Sequence, residues 1–125
     1  MKTVYLIRNN FLGKIQKAMK LLGIEKIITE GDRVAVKVHM GEYGNLNYVR
    51  PPIVGKVVET IKSVGGDPFL FDTPTLYEGS RSTPEKYLET ARKNGFTQET
   101  IGCPIVVCDD GIKVKTDGPL KEIEV

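Results

Sequence analysis

Segments with the apolar pattern of a strand alternate along this chain with segments that have the pattern of a helix. The β-branched and aromatic run Thr3–Ile7 predicts a first strand, and the alternating valines of Val34–Val38 predict a second. Apolar residues at helical spacing lie between them and stop before Gly23: Phe11, Leu12, Ile15, Met19 and Leu22. Because strands joined through single helices lie parallel in one sheet, this alternation predicts a parallel α/β domain.

Two more helix–strand units continue the pattern. Pro51-Pro52 suits the first turn of a second helix, since the N–H that proline lacks has no partner there. The apolar stripe of this helix runs from Ile53 to Val64 and ends at Gly65-Gly66. The continuous apolar run Pro68–Phe71 then predicts a strand that is buried on both faces.

A third helix and a fourth strand follow. Ser82 and Thr83 before Pro84-Glu85 predict a helix cap, and Asn94-Gly95 predicts the helix end. The residues expected to point inward from this helix are Tyr87, Leu88 and Ala91. The run Pro104–Cys108 predicts the fourth strand.

The C-terminal residues predict an antiparallel extension. Asp109–Gly111 is a hairpin signal, so Ile112–Lys115 is expected to turn back, and the closing KEIEV to add an edge strand. The whole pattern predicts one domain, residues 1–125. We expect a three-layer, Rossmann-like α/β sandwich with a mainly parallel sheet of about four strands.

Composition excludes several classes of protein. The 18 basic and 16 acidic residues are spread along the chain, and no basic run with interleaved aromatics indicates a nucleic-acid partner. No apolar run reaches the roughly 18 residues that a membrane span requires, and the first apolar run is too short for a signal peptide. We therefore expect a cytoplasmic protein in which Cys103 and Cys108 are reduced, buried and on opposite faces of a strand.

Two long polar segments follow the second and third predicted strands. Ligands of parallel sheets bind outside the carboxyl ends of the strands, so both segments are expected at one rim. A structural connection usually takes about 2–6 residues, whereas each of these takes about a dozen. The candidate ligand-binding residues are Gly41, Asn45, Arg50, Thr73, Thr75, Tyr77, Ser80 and Arg81.

Anion binding is the first chemistry that this rim could support. Arg50 precedes the second helix and Arg81 the third, where free N–H groups and the helix dipole favour negative charge. Alternatively, the arginines pair with Glu42 or Asp72 and only fix the loops. A nucleotide is not indicated, because the chain has no P-loop pattern and no G-x-G-x-x-G.

Metal binding and proton transfer are the other two chemistries. His39, Glu42 and Asp72 could form a mixed nitrogen–oxygen metal site. His39 could instead act in acid–base catalysis, oriented by Asp72 or Glu42. No nucleophile sits in a recognisable elbow, so whether the chain is an enzyme stays open.

Two sequence stretches resemble a known family. "KVHMGEYGNLNYVRP" and "GGDPFLFDTPTLYEGSRSTPEKYLETARKNGFT" are similar to the uncharacterised iron–sulfur-centre proteins, the family of domain of unknown function 362. The resemblance covers the chain from about Thr3 to Asp110. The matched positions of the first stretch are His39, Gly41, Glu42, Tyr48, Arg50 and Pro51. Those of the second are Asp72, Thr73, Thr75, Leu76, Tyr77, Gly79, Ser80 and Arg81.

The resemblance implies only a general role. Longer members carry a ferredoxin-like module with [4Fe–4S] clusters, whereas these residues contain no C-x₂-C-x₂-C run and resemble only the N-terminal part. It implies the ligand-binding α/β part of an iron–sulfur-associated redox protein, with the cluster in a partner chain or absent. The alternatives are a stand-alone enzyme using His39 and Asp72, and an interaction module. The expected partners are a small anion and either a ferredoxin-like protein or a second copy at the exposed sheet edge.

Overall fold

The sheet at the centre of the fold has three parallel strands. In this computed structural model, which describes residues 3–110 and the strands 113–115 and 122–124, they are β1 (Arg33–Lys37), β2 (Asp67–Asp72) and β3 (Ile105–Val107). The order across the sheet is β1-β2-β3, and both pairings are parallel. The predicted parallel α/β arrangement is confirmed, with three strands instead of about four.

The three predicted helices are present, with α1 before β1 and the other two between the strands. They are α1 (Phe11–Leu21), α2 (Pro51–Ser63), α3 (Pro84–Lys93) and the short α4 (Gln98–Ile101), with one 3₁₀ turn at Ile24–Lys26. The prolines open α2 as expected, and Thr83 caps α3 by accepting the N–H of Lys86. The sequence pattern did not predict α4, which reciprocal bonds between Thr97 and Thr100 hold in place.

The predicted first strand is wrong. Residues 3–7 are irregular and belong to no ladder among the described strands, and β1 is an edge of the sheet. Val4 and Leu6 are 88% and 76% exposed. Strand propensity depends on packing against neighbouring strands, so an apolar run that finds no partner does not form a strand.

The core lies on one face of the sheet. Leu70 of β2 and Val107 of β3 pack there against α2, α3 and α4, through Val58, Tyr87 and Ile101. On the other face Phe69 and Phe71 are half-buried, and Ala35 and Val106 are exposed. The expectation that β2 is buried on both faces is therefore wrong, and the described residues do not show the third layer of the predicted sandwich.

Two positions predicted to be buried are not fully buried. Leu88 of α3 is exposed, while Tyr87 and Ala91 are fully buried. Cys103 is free and buried, but Cys108 is only half-buried. Burial raises the pKa of the Cys103 thiol.

The predicted C-terminal extension forms a separate two-stranded sheet. β4 (Lys113–Lys115) pairs antiparallel with β5 (Glu122–Glu124), with Val114 opposite Ile123. β4 thus pairs with β5 and not, as the predicted hairpin required, with β3. The predicted turn at Gly111 and the connection between these two strands lie outside the described residues. Within the described part of the chain, no helix is long and apolar enough to cross a membrane.

Candidate functional site

The two long loops meet at the carboxyl edge of the sheet and are joined through Glu42. Loop A is defined as residues 38–50, after β1, and loop B as residues 73–83, after β2. The Glu42 carboxylate accepts hydrogen bonds from the Ser80 hydroxyl (2.7 Å), the Tyr77 hydroxyl (2.9 Å) and Arg81 Nε (3.0 Å). Ser80 Oγ also accepts the N–H of Tyr43 at 3.2 Å. These contacts, called the Glu42 clamp below, hold loop A against loop B.

The Glu42 clamp uses the charge of Arg81 internally. Arg81 is buried, and its Nη2 donates to the Tyr77 hydroxyl at 2.7 Å. The hydrogen bond from Ser80, with those from Tyr77 and Arg81, lowers the pKa of Glu42. Burial alone would lower the pKa of Arg81, but its hydrogen bonds raise it above its ordinary value. Arg81 therefore fixes the loops, which is the alternative that the sequence left open.

A second polar cluster surrounds Asp72 at the end of β2. Asp72 is buried and accepts hydrogen bonds from Lys37 Nζ (2.6 Å) and from the Tyr87 hydroxyl. The Tyr87 oxygen in turn accepts the N–H of Met40 at 3.0 Å. Burial alone would raise the pKa of Asp72, but the bonds from Lys37 and Tyr87 lower it. Burial and the bond to Asp72 raise the pKa of Tyr87 to about 12.

The remaining candidates of loop B have structural contacts. The backbone N–H of Thr73 bonds to Asp72 and contributes to its lowered pKa. Thr75 closes the loop, because its N–H donates to the Arg81 carbonyl oxygen (2.9 Å) and its hydroxyl to the Tyr77 carbonyl oxygen (3.0 Å).

Gly41 and Asn45 shape loop A. Gly41 has a φ of 88°, and a Cβ there would lie 2.7 Å from the Tyr48 ring. Only glycine combines that backbone conformation with so close a neighbour. The side chain of Asn45 accepts the N–H of Asn47 at 2.7 Å in a local turn.

The starts of α2 and α3 offer no free backbone donors. Pro51 and Pro52 have no N–H, and the N–H of Ile53 already donates to the Arg50 carbonyl oxygen at 2.9 Å. At α3, Glu85 accepts its own backbone N–H and the Thr83 hydroxyl. The described contacts leave no free N–H group at the first turn of either helix, so the proposed anion site draws on side chains.

Loop A lines an open depression of about 690 Å³ beside the clamp. A small-molecule site typically measures about 300–1,000 Å³. Its lining residues are His39, Asn45, Leu46, Asn47, Tyr48 and Val49. Arg50 lies next to it, stacked 4.6 Å from the centre of the Tyr48 ring and donating to the Leu46 carbonyl oxygen at 2.7 Å. Among the described side chains, no carboxylate lies within ion-pair distance of Arg50.

The three residues proposed for metal binding have separate partners. His39 Nδ1 accepts the N–H of Gly41 at 3.1 Å, Glu42 is in the clamp, and Asp72 bonds to Lys37. Nowhere in residues 3–110 do three or more histidine, cysteine or acidic side chains come together as a metal site would require. No hydrogen bond joins His39 to Asp72 within this range either.

The sequence reasoning missed Lys37 and the polar role of Tyr87. Lys37 alternates with valines in β1, so its position predicts only a solvated side chain. Tyr87 was expected in the core, where the burial cost of a hydroxyl requires a partner. That requirement was the one available signal for its bond to Asp72.

The fold and the rim define a class: a parallel α/β domain with two polar loops joined at the carboxyl edge of its sheet. Residues 34–124 match the family model described as "Domain of unknown function (DUF362)". The chain belongs to this family. Comparisons with curated proteins and with solved structures gave no match.

The cysteines do not fit an iron–sulfur cluster held by this chain alone. Such clusters are usually held by four cysteine thiolates, and the sequence has only Cys103 and Cys108. Cys103 is buried beside Leu70, in the core.

Proposed function

We propose that this chain is a ligand-binding α/β domain that holds a small anionic molecule in the depression of loop A. Arg50 supplies the positive charge, and Asn45 and Asn47 supply amide groups at the same depression. His39 adds a second ring nitrogen, since Gly41 occupies only its Nδ1. The ligand class is a carboxylate or phosphate small enough for about 690 Å³.

The position of Arg50 carries this proposal. Arg81 and Lys37 each have a carboxylate partner, whereas Arg50 has none within the described residues. Its guanidinium is held by a carbonyl oxygen and an aromatic ring, which orient it without neutralising its charge. An oriented cation without a counter-ion is what an anion site requires.

The Glu42 clamp supports the site indirectly. Because it ties loop A to loop B, the depression is preformed, and a ligand need not order a free loop. The two-arginine site expected from the sequence thus becomes a site in which Arg50 contacts the anion and Arg81 positions the loop.

The wider role is part of the same proposal. Association with an iron–sulfur redox system, through a ferredoxin-like partner, rests on the family resemblance. A cytoplasmic location fits the free thiols of Cys103 and Cys108. Proton transfer by His39 and Asp72 stays a prediction that no contact between them supports.

Titration of isotope-labelled protein by NMR tests the site, with inorganic phosphate and citrate as probes. We expect saturable shifts at the Asn45 and Asn47 amides. Arg50→Ala should weaken binding by about tenfold or more, since a charged hydrogen bond is worth about 1.5–3 kcal/mol. Arg92→Ala is the matched control, because Arg92 is exposed on α3 and does not line the depression.

Three results would overturn the proposal. The first is an absence of saturable shifts for both probes in correctly folded protein. The second is equal affinity of the wild type and Arg50→Ala. Loss of affinity in Arg92→Ala as large as in Arg50→Ala would show that only overall charge matters.

A further inference from the structure

A second depression, far from the rim, combines apolar and basic side chains. It lies between residues 5–8 and one side of α1 and measures about 220 Å³. Its apolar lining includes Tyr5, Leu6 and Leu21, and its basic lining Arg8, Lys14 and Lys17. We call these six residues the basic groove.

The groove is tied together and anchored to the domain. Lys14 Nζ donates to the Arg8 carbonyl oxygen at 2.8 Å, which joins α1 to the preceding segment. Gln16 of α1 reaches Ser63 Oγ at 3.5 Å, at the opposite end of α2 from the rim loops. The basic groove is therefore independent of the proposed anion site.

The charge of this region is entirely of one sign. Every charged residue between Thr3 and Ile24 is basic, and the first acid, Glu25, pairs with Lys20 at 3.1 Å. Among the described side chains, none of the groove's three cations has a carboxylate within ion-pair distance. No described side chain therefore neutralises their positive field.

Two apolar side chains of the groove are exposed as well. Leu6 is 76% and Leu21 52% exposed. A cluster of exposed apolar side chains beside uncompensated charge is typical of an interaction surface. The apolar part supplies binding energy, and the charges select the partner and accelerate the encounter.

We propose that the basic groove docks an acidic protein segment that carries apolar anchor residues. Acidic side chains of the partner pair with Arg8, Lys14 and Lys17, while its anchors cover Leu6 and Leu21. Charge complementarity selects this occupant, since a second copy docked by the same surface would bring like charges together.

A bilayer fits this surface less well. Only Ile15 of α1 is buried, and Phe11, Leu12 and Leu21 stay exposed. The groove between residues 5–8 and α1 is, however, a concave depression of about 220 Å³, which receives an anchor side chain of a peptide more readily than the flat surface of a bilayer. A nucleic acid would leave the leucines uncovered, because its backbone is charged and its bases need stacking platforms.

Selection from a library of short random peptides displayed on phage tests the proposal. Wild-type protein is the bait, at about 50 mM salt, where screening is weak. We expect enrichment of peptides with two or more acidic residues around apolar ones. For the selected peptides, Lys17→Glu and Leu21→Ser should each weaken binding about tenfold, and about 500 mM salt should weaken it further.

Arg92→Glu is the matched control, since it makes the same charge reversal on an exposed helix site outside the groove. It should change the affinity less than twofold, and circular dichroism checks that all three variants are folded. The proposal is overturned by no enrichment, by enrichment of neutral or basic peptides, or by an equal effect of Arg92→Glu. It is also overturned if Lys17→Glu abolishes sedimentation with anionic vesicles, or self-association, but leaves peptide binding unchanged.

Discussion

Replacing Glu42 by glutamine should separate the two rim loops with little change in side-chain size. Glutamine keeps one acceptor oxygen but removes the negative charge and puts an amide donor where the other oxygen was. In the clamp, Oε2 accepts from Tyr77 and Arg81, and Oε1 accepts from Ser80. The Ser80 hydroxyl can keep a contact by accepting from the amide instead of donating, but Arg81 loses its counter-ion.

The expected cost follows from the burial of the two partners. The side chain of Arg81 is 8% exposed and that of Glu42 is 28% exposed. Breaking a fully buried ion pair costs about 3–5 kcal/mol, and a single charged hydrogen bond contributes about 1.5–3 kcal/mol. Because water can reach part of this site, we expect the free energy of unfolding to fall by about 2 kcal/mol.

Urea unfolding measures this loss as a lower midpoint with an unchanged slope. Glu89→Gln is the matched control, since Glu89 pairs with Lys93 at 2.7 Å on the exposed surface of α3. An exposed pair contributes little, so this variant should unfold like the wild type. In Glu42→Gln, hydrogen exchange should also become faster at the Tyr43 amide, which bonds to Ser80.

Identical midpoints for Glu42→Gln and Glu89→Gln would refute this account of the clamp. The loops would then be held by other contacts, such as those around Asp72. A lower midpoint without faster exchange at Tyr43 would mean that Glu42 stabilises the domain without coupling loop A to loop B.

Three further substitutions probe the second cluster and the turn of loop A. The pKa of Tyr87 is raised from 10.0 to about 12, so the neutral hydroxyl stabilises the fold fully below pH 10.0. This stabilisation is lost as the pH rises to about 12. Tyr87→Phe should therefore lower the free energy of unfolding at neutral pH by about 2 kcal/mol. In urea titrations at alkaline pH, this variant should lose less stability than the wild type, and an equal loss would contradict the assignment. The pKa of Asp72 lies below 3.8, so its contribution is present above that pH and is lost as the pH falls through the folded value. In Asp72→Asn, the free energy of unfolding should fall less steeply at acid pH than in the wild type. An equally steep fall would mean that other groups cause the loss of stability in acid. Gly41→Ala should lower the melting temperature more than Gly44→Ala, because both have positive φ but only Gly41 has an aromatic ring against the added Cβ. Equal losses would mean that the Tyr48 ring adds nothing to the backbone strain.

The strand–helix order was predictable because each element buries its own apolar pattern. The valines of β1, the stripe of α2 and the apolar run of β2 each show the period of their element. The predicted strand Thr3–Ile7 failed for the opposite reason. Its local pattern is the same, but a strand also needs a neighbour in the sheet, and the pattern of a segment does not contain that neighbour.

The meeting of the two rim loops was also predictable, whereas the contacts between them were not. The rule for parallel sheets brought both loops to one edge from the strand order alone. Which arginine is neutralised depends on angles and distances between loops, which the sequence does not show. The polar bond of Tyr87 is similar, since its burial was expected but its partner, Asp72, lies 15 residues away.

The two prolines that open α2 affect how the depression can acquire a different ligand. An anion site made of backbone amides has the same donors whatever side chains surround it. Here the donors near Arg50 belong to side chains, because Pro51 and Pro52 supply no N–H. In the proposed anion site, exchanging one or two residues of loop A would then change the preferred ligand while the helix, the sheet and the clamp stay as they are.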